Sequence, residues 1–212
     1  MSLKVIIISG SIGAGKTSIL KCMEALSEEN NTISIFYENV ESWKYYLDKF
    51  YNGEKNACTL LEYDIIMHYF SITKKIDQLE EQCTKDGKNR IIFIERSPFD
   101  VLHVFLKSNE RLLTKQMYDT LCDMCKLLLS LNMHWMNAMH IYIHAPISYC
   151  LERIKIRNRG NENVIIDEYL KKLENYYYAY LDNIKNKKII DNVGTLENLE
   201  HVARTVLSFI NI

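Results

Sequence analysis

The sequence is poor in the residues that interrupt regular structure, with 7 glycines and 2 prolines in 212 residues. That scarcity excludes a collagen-like or proline-rich chain. It also lacks an apolar run of the roughly 20 residues that a membrane-crossing helix needs. The N-terminal run Val5-Ile6-Ile7-Ile8 has the length of a strand. Neither sign of charge is in excess, with 26 Lys and Arg against 27 Asp and Glu. A general nucleic-acid-binding face is therefore not expected, nor is a membrane partner. No signal or transit peptide fits, because motif chemistry begins at Gly10. The six cysteines are scattered, and only Cys122-Asp-Met-Cys125 has metal-like or redox-like spacing. No second Cys/His pair accompanies it and it lies in a helical pattern. Buried thiols in a reducing, cytoplasmic setting are the expectation. What is present, 48% hydrophobic and 25% charged residues, excludes disorder as the main state. A chain of this length buries roughly 70% of its unfolded surface, enough for a real core.

Strand and helix signals alternate, which predicts an α/β fold with a five-stranded parallel sheet flanked by helices. The expected strands are Lys4–Ser9, Ile33–Tyr37, Arg90–Ile94, Met139–His144 and Lys188–Asp191. A first helix is expected over about Lys16–Glu28, broken by Asn30-Asn31, and the next over Ser42–Tyr51. Thr59–Cys83, Phe99–Lys107 and Leu113–Asn132 follow, then Ile147–Arg159 with a stop at Gly160-Asn161, Asp167–Lys185 and Leu196–Phe209. With no linker, repeat or low-complexity tract, residues 1–212 read as one domain.

Gly10-Ser11-Ile12-Gly13-Ala14-Gly15-Lys16-Thr17 fits GxxxxGK[ST] between a buried strand and a helix. The pattern fits a loop whose backbone N–H groups cradle ATP phosphates at a helix N-terminus that continues through Ser18. Lys16 would supply a point charge to the β- and γ-phosphates, and Thr17 a hydroxyl to Mg²⁺. The motif speaks of nucleotide binding and leaves the reaction open. Asp191-Asn-Val-Gly194 spells DxxG but follows the last strand, and no NKxD occurs, so a GTPase is not indicated. Acidic and basic residues instead stand at strand ends, where open α/β sheets place their sites: Glu38, Glu95-Arg96-Ser97, and Arg153, Arg157 and Arg159 on a basic helix.

Together these pieces resemble the deoxynucleoside kinase family, the type that includes insect deoxynucleoside kinase, mitochondrial thymidine kinase and deoxycytidine kinase. Besides the phosphate loop, Glu38-Asn-Val-Glu-Ser-Trp43 is similar to the family's E-P-V-x-x-W stretch and Glu95-Arg96-Ser97 to its E-R-S signature. Residues 152–162 resemble its Arg-rich lid and Asp191–Asn198 its adenine-side loop. The resemblance covers nearly the whole chain. It implies a P-loop kinase fold, transfer of the ATP γ-phosphoryl group to the 5′-hydroxyl of a deoxynucleoside with Mg²⁺, and a homodimer formed through the two long helices.

On that reading Glu38, Arg96 and Lys16 are catalytic. Glu38 takes the proton of the 5′-hydroxyl, the plainer alternative being a helix cap. Arg96 keeps Glu38 ionised, and Glu95 joins Thr17 toward Mg²⁺. Arg153, Arg157 and Arg159 meet the charge of the transferred phosphoryl group. Trp43 and Phe105 are expected to flank the base, while Tyr51 and Glu162 fall where the family binds the sugar. Glu62 departs from the usual Gln. An ionised carboxylate only accepts hydrogen bonds, which suits guanine, whereas a protonated one imitates the amide. Tyr69 and Val101 match neither pyrimidine-selective pattern, Asp100 stands one position from the deoxycytidine kinase Asp, and Leu102 or His103 occupies the place of an expected Arg. The rivals are a nucleoside monophosphate kinase, disfavoured by E-R-S, and a kinase-like subunit without turnover.

Overall fold

The run of β-branched residues near the N-terminus forms the central strand. β1 (Leu3–Ser9) lies in a five-stranded sheet of order β2-β3-β1-β4-β5, every neighbouring pair parallel. Ile6, Ile7 and Ile8 are completely buried, as a strand covered by helices on both faces requires. The computed structural model describes residues 2–27, 32–159, 162, 164–194 and 196–210, and only the backbone of residues 196 and 197. The expected breaks at Asn30-Asn31 and Gly160-Asn161 lie outside the described residues.

The phosphate-loop sequence leads from β1 into α1 (Lys16–Leu26). β2 (Ile33–Phe36) forms one sheet edge. α2 (Val40–Tyr51) and α3 (Ala57–Asp86) follow, each starting two residues before the expected position. β3 (Arg90–Glu95) pairs with β1, with Ile8 opposite Glu95. β4 (Met139–His144) lies on the other side of β1, and β5 (Lys187–Asp191) is the second edge. The chain thus fills one side of β1 first and then the other. This reversal opens a crevice at the C-terminal ends of β1 and β3, where such sheets place their ligands.

Several helix boundaries depart from the expected ones, for local reasons. The helix expected over Phe99–Lys107 is α4 (Pro98–Asp100), a π-helical turn over Val101–Phe105, and α5 (Leu106–Asn109). α6 runs Lys115–Leu131 rather than from Leu113, because Thr114 caps it, its Oγ1 accepting from the Met117 N–H at 3.2 Å. Such a cap contributes ~1 kcal/mol. A short α7 (Met133–Met136) was not expected. It is held by the indole of Trp135, completely buried and donating to Thr73 Oγ1 at 3.0 Å. α8 (Ile147–Arg157) ends where Asn158 turns left-handed at φ 44°, two residues early. α9 (Asp167–Leu181) also stops short of Lys185, and α10 (Leu196–Ser208) closes the chain. Cys122 and Cys125 are buried on α6, and all six cysteines are unpaired. No helix of the described residues is long and apolar enough to cross a membrane.

Candidate functional site

The crevice above β1 and β3 is a cavity of about 980 Å³. That is at the upper end of the range for small-molecule sites. Its floor is the loop between β1 and α1. Gly13 and Gly15 hold φ of +81° and +93° there. A Cβ on Gly13 would lie 2.5 Å from the Cys150 carbonyl oxygen, and one on Gly15 would collide with the Asn192 amide. Both glycines are therefore required by conformation and by space. Gly10, Ser11, Ile12 and Ala14 complete the loop, and Ser18 follows Thr17 in the first turn of α1. Lys16 lies across this loop, its Nζ donating to the Ser11 carbonyl at 3.1 Å. Burial and the nearby Arg96 charge lower its pKa to about 8, against the opposing pull of Glu95, Glu38 and Asp100.

Both acidic strand-end residues, Glu38 and Glu95, act on that lysine. Thr17 Oγ1 donates to Glu95 Oε1 at 2.7 Å. Glu95 is buried, and that burial together with the Glu38 charge raises its pKa. Glu38 does not cap α2; the cap position is Asn39. Instead Arg96 Nη1 donates to both Glu38 oxygens at 2.6 Å. The two side chains are only 11% and 10% exposed. Burial pushes the Glu38 carboxyl up, but the charges of Arg96 and Lys16 outweigh it and hold the group below its ordinary range. Arg96 leaves β3 at φ +57°. This left-handed conformation costs ~1 kcal/mol or more for a residue with a Cβ. Its N–H donates to the Ile8 carbonyl at 3.0 Å, so the turn is anchored to the central strand. The guanidinium then lies 4.8 Å from the Phe105 ring centroid. Strain concentrated at one charged residue in a crevice is the pattern of a working site.

Arg153, Arg157 and Arg159, expected to form a lid, make different contacts. Arg153 donates to the Gly13 and Ala14 carbonyls at 3.4 and 3.3 Å and to the Asn192 carbonyl at 3.2 Å, clamping the loop. Arg157 donates from Nε and Nη2 to Glu162 Oε2, at 3.0 and 2.6 Å. Arg159 lines the cavity near Glu162. Asn192, buried, donates from Nδ2 to the Ala14 carbonyl at 2.7 Å, while its N–H donates to the His144 carbonyl at 2.7 Å.

The far end of the cavity is built from α2, α3, α5 and the π-helical turn. Trp43, Tyr51, Glu62, Val101 and Phe105 all line it. Trp43 meets the His68 ring edge-on at 5.3 Å. Glu62, 2% exposed, accepts one long hydrogen bond of 3.4 Å from Asn109 Nδ2, and its Oε2 has no partner among the described residues. Burial raises its pKa to about 7. Tyr69 OH donates to the Glu95 carbonyl at 3.3 Å, and Asp100 accepts from Ser97 Oγ at 2.6 Å. Burial raises the Asp100 carboxyl too. His103 stacks against Tyr180 at 5.2 Å and is absent from the cavity wall, as is Leu102.

Sequence reasoning placed Lys16, Thr17, Glu38, Glu95 and Arg96 in one cavity, and the structure brings them together. Asn192 and Asn109 escaped it. Asn192 belongs to the Asp191–Asn198 stretch, so the motif held the signal. Asn109 is one polar residue at the end of an apolar helix, with nothing to distinguish it from a helix stop.

Three comparisons bear on this geometry. The sequence model of the deoxynucleoside kinase family matches residues 6–211. A deoxyadenosine kinase of Dictyostelium discoideum is 30% identical over 184 residues, covering 84% of this chain and 67% of that protein. Protein 143R of Invertebrate iridescent virus 6 is 26% identical over 208 residues, 96% of each chain. Among solved structures, a deoxyadenosine kinase from M. mycoides with bound dCTP shares the fold at a TM-score of 0.72 and 23% identity, covering 97% of this chain and 100% of that one.

Proposed function

The chain belongs to the deoxynucleoside kinase family, and from that premise we propose how its residues divide the work. The reaction moves the γ-phosphoryl group of ATP to the 5′-hydroxyl of a deoxynucleoside, giving the 5′-monophosphate. One observation carries the assignment of roles. The Glu38–Arg96 pair and the Lys16–Thr17–Glu95 group line the same cavity. Phosphoryl transfer is mainly positioning and charge stabilisation, and these residues supply both.

Glu38 is the general base. Arg96 and Lys16 keep it ionised, so it accepts the hydroxyl proton without first losing its own. Arg96 holds the carboxylate in place, and its Nε, without a partner among the described residues, can donate to the substrate oxygen. Lys16 binds the β- and γ-phosphates, whose charge restores a full ammonium where burial alone weakens it. Residues 10–18 hold the triphosphate, with Arg153 setting the loop and Arg157 and Arg159 meeting the phosphoryl oxygens. Trp43 and Phe105 flank the base, and Tyr51 and Glu162 bind the sugar.

The hydroxyl of Thr17 and the carboxylate of Glu95, 2.7 Å apart at the head of the loop, are hard oxygen donors of the kind Mg²⁺ takes beside phosphates and water. Among the described residues no group of three or more acidic, His or Cys side chains forms a protein-only cage. When bound, Mg²⁺ would neutralise developing phosphate charge.

We further read residues 1–212 as one domain, acting as a homodimer in the cytoplasm in nucleotide salvage. In support, Leu60, Tyr63 and Met67 on α3 and Leu127 and Leu131 on α6 are exposed at 41–56%, a large apolar surface for helices that pack together. A stable monomer at micromolar concentration by analytical ultracentrifugation would remove the dimer. Deoxyadenosine is the first substrate to try, because the Dictyostelium relative is a deoxyadenosine kinase. An ATP-consumption assay over the four deoxynucleosides and their monophosphates tests the whole reading. Turnover with the nucleosides supports it, and turnover confined to the monophosphates overturns it.

A further inference from the structure

Glu62 is a buried carboxyl group on a ligand cavity with one oxygen unspent. Oε1 already accepts from Asn109 Nδ2 at 3.4 Å, while Oε2 has no partner among the described residues. A buried polar atom without a partner loses free energy, and here the missing partner has room to arrive, because the residue lines the cavity that would hold the base. We propose that Glu62 selects the nucleobase through its own protonation, accepting several bases when neutral and favouring guanine when ionised. This deepens the kinase reading above and rests on it.

The argument is a matter of donors and acceptors. Asn109 donates to Oε1, so in the neutral acid the proton resides on Oε2. Oε2–H then donates and Oε1 accepts with its remaining lone pair. That pair complements adenine, whose ring N1 accepts and whose exocyclic amine donates. It equally complements cytosine through N3 and the exocyclic amine, and thymine or guanine through an oxygen beside a ring N–H. Removing the proton leaves two acceptors. Adenine N1, cytosine N3 and thymine O4 would each bring a lone pair against Oε2. Guanine alone offers two adjacent donors, N1–H and the exocyclic amine, and so retains two hydrogen bonds.

The surroundings let the proton move in the neutral range. Burial raises the carboxyl, and the Asn109 hydrogen bond and the Arg96 charge only partly oppose it. The other ionisable groups that act on Glu62 are thiols and a phenol. Cys58 lies on α3 itself, Cys125 on α6 and Tyr169 on α9. Burial raises the pKa of all three, so none carries charge near neutrality. Among the described residues Arg96 is the one charged group acting on it, and it is already bound to both oxygens of Glu38. Glu62 therefore has no ion pair among the described residues to keep it ionised.

The test is a competition. Deoxyadenosine and deoxyguanosine are supplied together with ATP from pH 5.5 to 8.5, and the ratio of their kcat/KM values is followed. Changes at Glu38, Lys16 or the phosphates affect both substrates alike and cancel in the ratio. The wild-type ratio of deoxyadenosine to deoxyguanosine should fall at least tenfold across that range. In Glu62→Gln, whose amide keeps one donor and one acceptor, the ratio should be flat. Calorimetric binding of the two nucleosides without ATP, at pH 6 and pH 8, should show the same divergence. A pH-independent ratio in the wild type, or an equal slope in Glu62→Gln, overturns the proposal while leaving the kinase reading intact. If neither purine nucleoside binds or reacts while deoxycytidine or thymidine does, this proposal fails and the kinase reading stands; if none of the four does at any pH, the kinase reading fails and takes this proposal with it.

Discussion

The two ends of the cavity differ in what sets their charge. At the phosphate end, charged groups meet partners at short range, Arg96 with Glu38 at 2.6 Å and Thr17 with Glu95 at 2.7 Å. At the base end, Glu62 has, among the described residues, one hydrogen bond of 3.4 Å and one oxygen without a partner. Both ends are buried, so desolvation is common to them. Glu38 is nevertheless held below the ordinary carboxylate range and Glu62 is lifted to about 7. A neighbouring cation reverses the sign of the shift that burial alone would produce. Glu38 is thereby held in one charge state, whereas Glu62 is free to change.

The sharpest way to break this contrast is Glu38→Gln. The amide keeps nearly the same shape and can still accept from Arg96, but it cannot take up a proton. General-base catalysis supplies about 10²–10⁴-fold, so kcat should fall by about that factor with little change in nucleoside affinity. Rapid-quench measurement of the phosphoryl-transfer step checks this. An unchanged rate would mean that the committed charge at this end serves binding alone.

The second effect is on stability and has the opposite sign. Glu62 has its pKa raised from 4.5 to about 7 in the folded protein, so the native state holds a proton that the unfolded chain releases. Its contribution to stability is complete below about pH 4.5 and is lost as the pH rises through about 7. Glu62→Gln escapes that loss. The variant should match the wild type near pH 4.5 and exceed it at pH 8 by on the order of 3 kcal/mol. Urea unfolding at the two pH values measures it. A difference independent of pH would show that the Glu62 proton is not linked to folding.

The phosphate end was also the more legible in the amino-acid sequence, and the reason is physical. Close approach of backbone to phosphate demands glycine at fixed spacing, so Gly10, Gly15, Lys16 and Thr17 advertise the loop. A strand buried on both faces demands an unbroken apolar run, which placed β1 and, through Ile91–Ile94, put Glu95-Arg96 at the end of another strand. The base end obeys no such spacing. Asn109 meets Glu62 across 47 positions of chain, a contact that only tertiary packing creates. The π-helical turn at Val101–Phe105 was equally hidden, since one widened turn hardly disturbs an apolar periodicity. Arg153 lies between these cases. The sequence put it on a basic helix with Arg157, but not its guanidinium on the carbonyls of Gly13, Ala14 and Asn192.

Asn192 yields the smallest effect and tests whether the phosphate end relies on its loop as well as on its charges. Its Nδ2 donates to the Ala14 carbonyl at 2.7 Å, and the amide packs where a side chain on Gly15 would otherwise stand. Asn192→Ala removes that bond. It does not strand the carbonyl, because Arg153 Nη1 still donates to Ala14 at 3.3 Å. The clamp from Arg153 to the Asn192 carbonyl is a backbone contact and survives the substitution. The loss is therefore one ordinary hydrogen bond, ~1 kcal/mol, felt as slack in the loop. The KM for ATP should rise about fivefold by that figure, with kcat and the deoxynucleoside KM nearly unchanged. A fall in kcat at constant ATP KM would mean instead that the loop's exact posture governs the transfer step, and that the charges above it cannot work from a loosened floor.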